Sequence, residues 1–381
     1  MQSSLLKRTI RYSFLIPRCR HFATSFVAHN DVKSKNRVIL SGIQPTGVPH
    51  LGNYFGALAN WVKLQREAGP DDVLLYMVAS WHALTLPQDP AQLANARNDT
   101  LAVLLAIGLD PKRSIIFHQD TNRDHAELAW IFNCIAPTGM LRRMTTWKSR
   151  LATSRNMSDD TDVDEGSLTA GLFTYPVLQA ADILVYNATH VPVGDDQTQH
   201  VELCRDIAER FNHTFSPESP LFTLPALLKT SSKRILSLRD PSSKMSKSAP
   251  DASSRILLSD DASEIASKIR AAVTDSIPGI TYDPVNRPGT ANLLNILAAC
   301  TNENVVDVAL RYQDKNHGHV KRDLTEVVEE TLKGPRAEFE RLRKDAAYLR
   351  EVALDGAAKS AERSEAVMRE VREAVGLPSF I

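Results

Sequence analysis

The chain has 381 residues, 43% hydrophobic and 24% charged, which is enough for about two domains with ample core and excludes a disordered or fibrous protein. Its 45 basic residues balance 45 acidic ones, so bulk charge carries no footprint of a nucleic acid, and any such partner must be met by a local basic patch. Cys19, Cys134, Cys204 and Cys300 are far apart, so there is no zinc spacing, CxxC pair or disulfide framework, and a reducing compartment fits.

Residues 1–30 hold Lys7, Arg8, Arg11, Arg18 and Arg20 with no acid, interspersed with serines and bulky apolar residues. This is the make-up of an amphipathic mitochondrial presequence; a basic arm that touches nucleic acid is the other reading. Removing those five bases leaves 40 against 45 acids, a mildly acidic remainder. No apolar run approaches the length of a membrane span, so no membrane partner is expected.

Past residue 36 the pattern becomes regular. "RVILSG" (37–42) reads as a buried strand ending in a turn, and 53–69 carries Phe55, Leu58, Trp61, Val62 and Leu64 at helical spacing. A strand over 72–80, a helix over 90–110 and a strand over 113–119 follow. Strands alternating with helices predict an α/β, Rossmann-like parallel sheet, whose ligands sit at the carboxyl ends of the strands. The polar, acidic run 149–167 predicts a mobile loop or insertion. Residues 185–197 carry a short strand into a Gly-Asp-Asp turn, and 201–212 reads as a helix.

"DPSSKMSKSAP" (240–250) is a serine-rich loop fenced by prolines, which keep it out of helix and central strand. From about 259 to 376 the periodicity is helical throughout, and Asp261 and Glu264 have capping-box spacing. The expected organisation is a presequence (1–30), a catalytic α/β domain (36–250) and an all-helical C-terminal domain (255–381).

Two segments bear chemistry. "SGIQPTGVPHLGNYFGAL" (41–58) joins the first strand to the first helix; Val48-Pro49 stand where a P-loop needs Lys-Ser/Thr, so a Walker A site is rejected. Gly52 and Gly56 would still let a flat base and phosphates approach the helix N-terminus, with His50 and Asn53 as donors. In the proline-fenced loop, Lys244 and Lys247 are either solvated surface charges or a paired phosphate grip.

"HLGN" (50–53) and "KMSKS" (244–248), in this order, resemble the two signatures of class I aminoacyl-tRNA synthetases. Within that class "SGIQPTG", the run 169–203, "SLRDPSSKMSKS", "AVTDS" and "RPGTANLLNI" resemble the tryptophanyl-tRNA synthetases, from about residue 36 to the end. The resemblance implies tryptophan activation with ATP and substrate-bound Mg2+, transfer to tRNA-Trp, a homodimer and, with the presequence, work in the mitochondrial matrix.

It also implies roles for residues. Lys244, Met245, Ser246 and Lys247 would lie on the ATP phosphates, with His50, Gly52 and Asn53 around the nucleotide and Gly194 and Asp196 by the ribose. Gln44 would stand by the reacting carboxylate and α-phosphate. Asp182 would accept the indole N–H, Tyr175 and Gln197 would hold the ammonium and carboxylate, and Gln179 and His82 would border the amino acid. From the residues alone, Tyr175 and His82 fit a packed core equally well. Bacterial members carry Met where Gln179 stands. Tyr175, Gln179 and Asp182 also match the trio with which the sister tyrosyl enzymes hold tyrosine, and a synthetase-like RNA-binding protein without activity is a third reading. The helical domain would read the anticodon, with Lys315, Lys321, Arg322 and Arg343 as basic candidates.

Overall fold

The computed structural model describes residues 36–144, 147, 166, 168–194, 198–229, 234–247 and 249–378. The presequence, most of the acidic run and the positions Asp196, Gln197 and Ser248 lie outside them. The first strand, β1 (Val38–Ile43), leads through a loop to α1, which runs as Leu51–Asn53, a π-helical turn Tyr54–Leu58 and Ala59–Glu67. Then come β2 (Val73–Val78), the short α2 (Ser80–Ala83), α3 (Pro90–Ala106), β3 (Ile115–His118), α4 (Asp124–Ile135) and α5 (Thr138–Arg142). Next are α6 (Ala170–Leu184), β4 (His190–Val193), α7 (Thr198–Phe215) and β5 (Ala226–Lys229).

Among the described residues all four strand pairings are parallel, in the order β3-β2-β1-β4-β5. The chain therefore builds one way from β1 and then restarts on its other side. The carboxyl ends of β1 and β4 flank the resulting crevice, where an open α/β sheet takes its ligands. β1 and β2 carry apolar side chains on both faces, as a sheet covered twice requires. Ile39 and Leu74 join a core with Leu58, Trp61 and Leu104; their neighbours Leu40 and Leu75 join one with Phe117, Phe132, Val177 and Phe211.

After β5 the chain is helical, as its periodicity predicts: α8 (Ala262–Arg270), α9 (Pro288–Thr301), α10 (Val305–Arg311), α11 (His317–Leu342) and α12 (Ala346–Ala374). The capping box forms at α8: the Asp261 carboxylate accepts the Glu264 N–H (2.8 Å) and the Glu264 carboxylate accepts the Asp261 N–H (2.9 Å). Helix α12 turns back to pack on the edge strand β3 and on α4. A Cβ at Gly356 would stand 1.9 Å from the Ile116 carbonyl oxygen, so only glycine allows that approach. Met368 and Val371, near the end of the same helix, complete the second core.

Candidate active site

The site occupies a cleft of about 660 Å³ at the carboxyl ends of β1, β2 and β4. Gln44, Gly52, Asn53, His82, Tyr175, Gln179, Asp182, Gly194 and Lys244 all border it. His50, Met245, Ser246 and Lys247 stand behind this lining, and Asp196 and Gln197 lie outside the described residues.

At one end, His50 and Asn53 cap α1 reciprocally. The Asn53 N–H donates to His50 Nδ1 (3.2 Å), and the His50 N–H donates to Asn53 Oδ1 (3.2 Å). Nδ1 must then be the acceptor, which leaves the proton on Nε2. Burial, and after it the charges of Lys247 and Lys244, push His50 down to about 4, so the ring is neutral at physiological pH. A Cβ at Gly52 would fall 2.9 Å from the His50 ring, so this glycine first of all makes room for the capping histidine.

The lysine loop closes over that cap. Leu236 and Lys244 pair as an antiparallel bridge, with Ser237 N–H donating to Ser243 O (3.0 Å) and Met245 N–H to Ile235 O (3.1 Å). From α9, the buried Asn292 side chain grips the base of this hairpin: Oδ1 accepts the Leu236 N–H (2.9 Å) and Nδ2 donates to the Leu236 carbonyl (3.0 Å). Met245 is buried in the same core as Leu51 and plugs the loop into the sheet side. Lys247 Nζ donates to the Gly47 carbonyl (2.7 Å) and to Thr46 Oγ1 (3.2 Å), so the second lysine ties the loop to the turn before α1. Burial, with the Arg255 charge as the lesser cause, lowers Lys247 to about 8. Lys244 stays exposed at the cleft mouth.

The other end is buried. Helix α6 presents Tyr175, Gln179 and Asp182 on one face, as spacings of four and three residues require. Asp182 is 1% exposed and accepts from three side chains of two other segments. His82 Nε2 lies 2.7 Å from Oδ2, and Gln119 Nε2 and His125 Nδ1 each lie 2.7 Å from Oδ1. Burial alone would raise this carboxyl; the two histidines and their hydrogen bonds outweigh it and hold Asp182 near 2, ionised. Gln119 Oε1 accepts the Trp81 N–H (3.0 Å), which fixes the orientation of its amide. Tyr175 Oη is 3.0 Å from His200 Nε2. Gln119 and His125 escaped the sequence reading. Their only signal is a cluster of polar residues, "HQDTNRDH" (118–125), directly after a strand, where such sheets keep their ligands.

Residues 33–333 match the family described as tRNA synthetases class I (W and Y). The chain belongs to this family. The synthetase is 43% identical over 350 residues to the mitochondrial tryptophan–tRNA ligase of Schizosaccharomyces pombe, covering 90% of this chain and 96% of that one. It is 40% identical over 357 residues to that of Saccharomyces cerevisiae, covering 92% and 94%. The crystal structure of the Campylobacter jejuni tryptophanyl-tRNA synthetase complexed with ADP and tryptophan resembles it with a TM-score of 0.72 at 30% identity, covering 90% of this chain and 100% of that one.

The four basic candidates on the helical side of the synthetase all have partners within the chain. Lys321 donates to the carbonyls of Arg270 (3.0 Å), the last residue of α8, and Ala272 (2.7 Å) just past it. Arg343 pairs with Asp99 (3.0 Å), Arg322 with Asp323 (3.2 Å), and Lys315 lies 4.9 Å above the Tyr312 ring.

Proposed function

We propose that the protein activates L-tryptophan with ATP and transfers it to tRNA-Trp in the mitochondrial matrix. It is a tryptophan–tRNA ligase that uses ATP and works in mitochondria. The observation that carries the substrate is Asp182, an ionised, buried acceptor bordering the cleft on the face of α6 that also presents Tyr175 and Gln179. Indole is a hydrogen-bond donor only, so an acceptor-only carboxylate is its natural partner. A site built on such a bond rejects side chains that lack it by roughly 10⁴ or more.

In this reading the tryptophan carboxylate attacks the α-phosphorus of ATP, the bond to the β-phosphate breaks, and pyrophosphate leaves. The terminal ribose hydroxyl of the tRNA then attacks the acyl carbon, and AMP leaves. Tyr175 and Gln197 hold the ammonium and carboxylate, with Gln179 and His82 bordering the amino acid. Gln44 lies at the reacting centre. His50, Gly52, Asn53, Gly194 and Asp196 receive the nucleotide, and Mg2+ enters on its phosphates as part of the substrate. Lys244, Met245, Ser246 and Lys247 form the loop that meets the triphosphate. The lysines neutralise charge as it builds on the leaving pyrophosphate, an interaction that raises rate more than affinity. The enzyme works as a homodimer; Trp130, 72% exposed on α4, supports a second subunit seated there.

Amino-acid-dependent ATP–pyrophosphate exchange, with tryptophan and tyrosine in parallel, tests this. We expect exchange with tryptophan alone. Exchange with tyrosine alone would move the Tyr175, Gln179 and Asp182 trio to the sister specificity. Exchange with neither, in a folded protein, would leave an RNA-binding role.

A further inference from the structure

A carboxylate offers about four acceptor positions. Oδ1 of Asp182 is filled twice, by Gln119 and by His125, and Oδ2 once, by His82. The remaining position is on Oδ2, and Asp182 borders the cleft. Where that lone pair points depends on how the Oδ1 side is held.

His125 is fully buried and does not border the cleft, so it acts on a ligand only through Asp182. Its Nδ1 faces an acceptor-only carboxylate and must carry the proton. Its Nε2 lies 2.8 Å from Tyr186 Oη. Asn122 Nδ2 donates to that oxygen (3.1 Å), and a neutral ring protonated on Nδ1 offers Nε2 as the acceptor for the tyrosine hydrogen. The same amide group donates to Ser364 Oγ (2.8 Å) on α12, and Ser364 donates to Asp124 Oδ2 (2.5 Å). Arg372 Nη2, 3.4 Å from Asp124 Oδ1, closes the far end. The chain thus runs between two carboxylates that can only accept, with the Ala361 carbonyl (3.1 Å from Ser364 Oγ) and the Ser360 hydroxyl beside Tyr186 as side branches on α12. Burial pushes the Tyr186 hydroxyl far above its ordinary value, so it remains a donor.

We propose that His125 is a positioning residue for indole recognition: Tyr186, anchored through Asn122 and Ser364 to the last helix, selects the His125 tautomer that aims Asp182 at the indole N–H. The inference rests on the tryptophan reading above. It makes α12, far along the chain from the signatures, part of the specificity apparatus.

The test compares tryptophan with 3-benzothienylalanine, in which sulfur replaces the ring N–H at nearly the same shape. The readout is the ratio of kcat/KM for the two in ATP–pyrophosphate exchange. In Tyr186→Phe the ratio should fall about fivefold, and in His125→Leu about tenfold or more, mainly through a higher KM for tryptophan. The analogue's own constants should barely change. His125→Asn should recover part of the ratio, because its amide N–H can stand where Nδ1–H stood. An equal loss for both substrates in folded variants would make the network merely structural and overturn the proposal. Should His125→Leu fail to fold, Tyr186→Phe, which deletes one oxygen, decides alone. Failure of the underlying reading looks different: the unmodified enzyme would then treat tryptophan and the analogue alike, and the proposal would fall with it.

Discussion

The two ends of the cleft are built to opposite rules. At the end proposed to take the indole, a buried carboxylate is fixed by Gln119, His125 and His82, all at 2.7 Å. At the end proposed to receive the nucleotide, the cations sit on a hairpin: Lys244 is exposed, and Lys247 rests on one carbonyl and one hydroxyl of the turn opposite. Selection among amino acids needs groups that cannot move, since an unpaired buried acceptor is the penalty a wrong ligand meets. Charge stabilisation at a leaving group needs contacts that strengthen only as the reaction proceeds. One cleft thus holds a lock and a clamp, and each can be broken separately.

The largest effect should come from Asp182→Asn. An amide of the same shape turns its NH2 either toward both Gln119 and His125 or toward His82, so the substitution loses the charge and sets donor against donor unless a histidine changes tautomer. Tryptophan kcat/KM should fall by at least about 10², and discrimination against phenylalanine should shrink with it. The melting temperature should drop too, since a buried unsatisfied donor costs about 1–3 kcal/mol. Unchanged discrimination against phenylalanine, measured by pyrophosphate exchange, would mean the indole contact is misassigned.

Lys247→Ala should break the clamp and spare the lock. We expect kcat for adenylate formation to fall by roughly 10², as when other preorganised charge contacts are removed, with tryptophan affinity by calorimetry nearly unchanged. If rate and affinity fall together, the loop has no catalytic role distinct from binding.

The same contrast explains what could be read in the sequence. The clamp is written in two contiguous runs, so "HLGN" and "KMSKS" are visible without a structure. The lock is assembled across the fold: His125 is 57 residues and Gln119 63 residues from Asp182 along the chain. No local pattern joins them. The sheet was legible where a strand carries an apolar run closed by a turn or a helix, as in β1 and β2, but β5 offers only Ala-Leu-Leu before its lysine. Helix α6 carries Pro176 inside it, which blurs its helical signal. Helix α12 was readable as a helix, yet its return to β3 was not. The sign was present in Gly356, Ser360 and Ser364, small residues four apart that line one buried face in a long, otherwise mixed helix.

The smallest effect concerns pH. Lys247 is lowered to about 8 in the free enzyme, first by burial and then by Arg255. A lysine is cationic below its pKa and neutral above it. Because kcat/KM for ATP reports the free enzyme, it should fall about tenfold from about pH 7 to about pH 9 as the charge is lost. Once the triphosphate is bound it favours the ammonium form, so kcat should hold to higher pH. At the other end Asp182 is held near 2 and stays ionised throughout this range, so the KM for tryptophan should remain flat. Lys247→Arg separates the causes: a guanidinium keeps its charge across the same window, so the alkaline fall should disappear even if the absolute rate is lower. A fall that persists in the arginine variant would assign the titration to another group. A fall shared equally by the ATP and tryptophan constants would mean that the two ends are not independent after all.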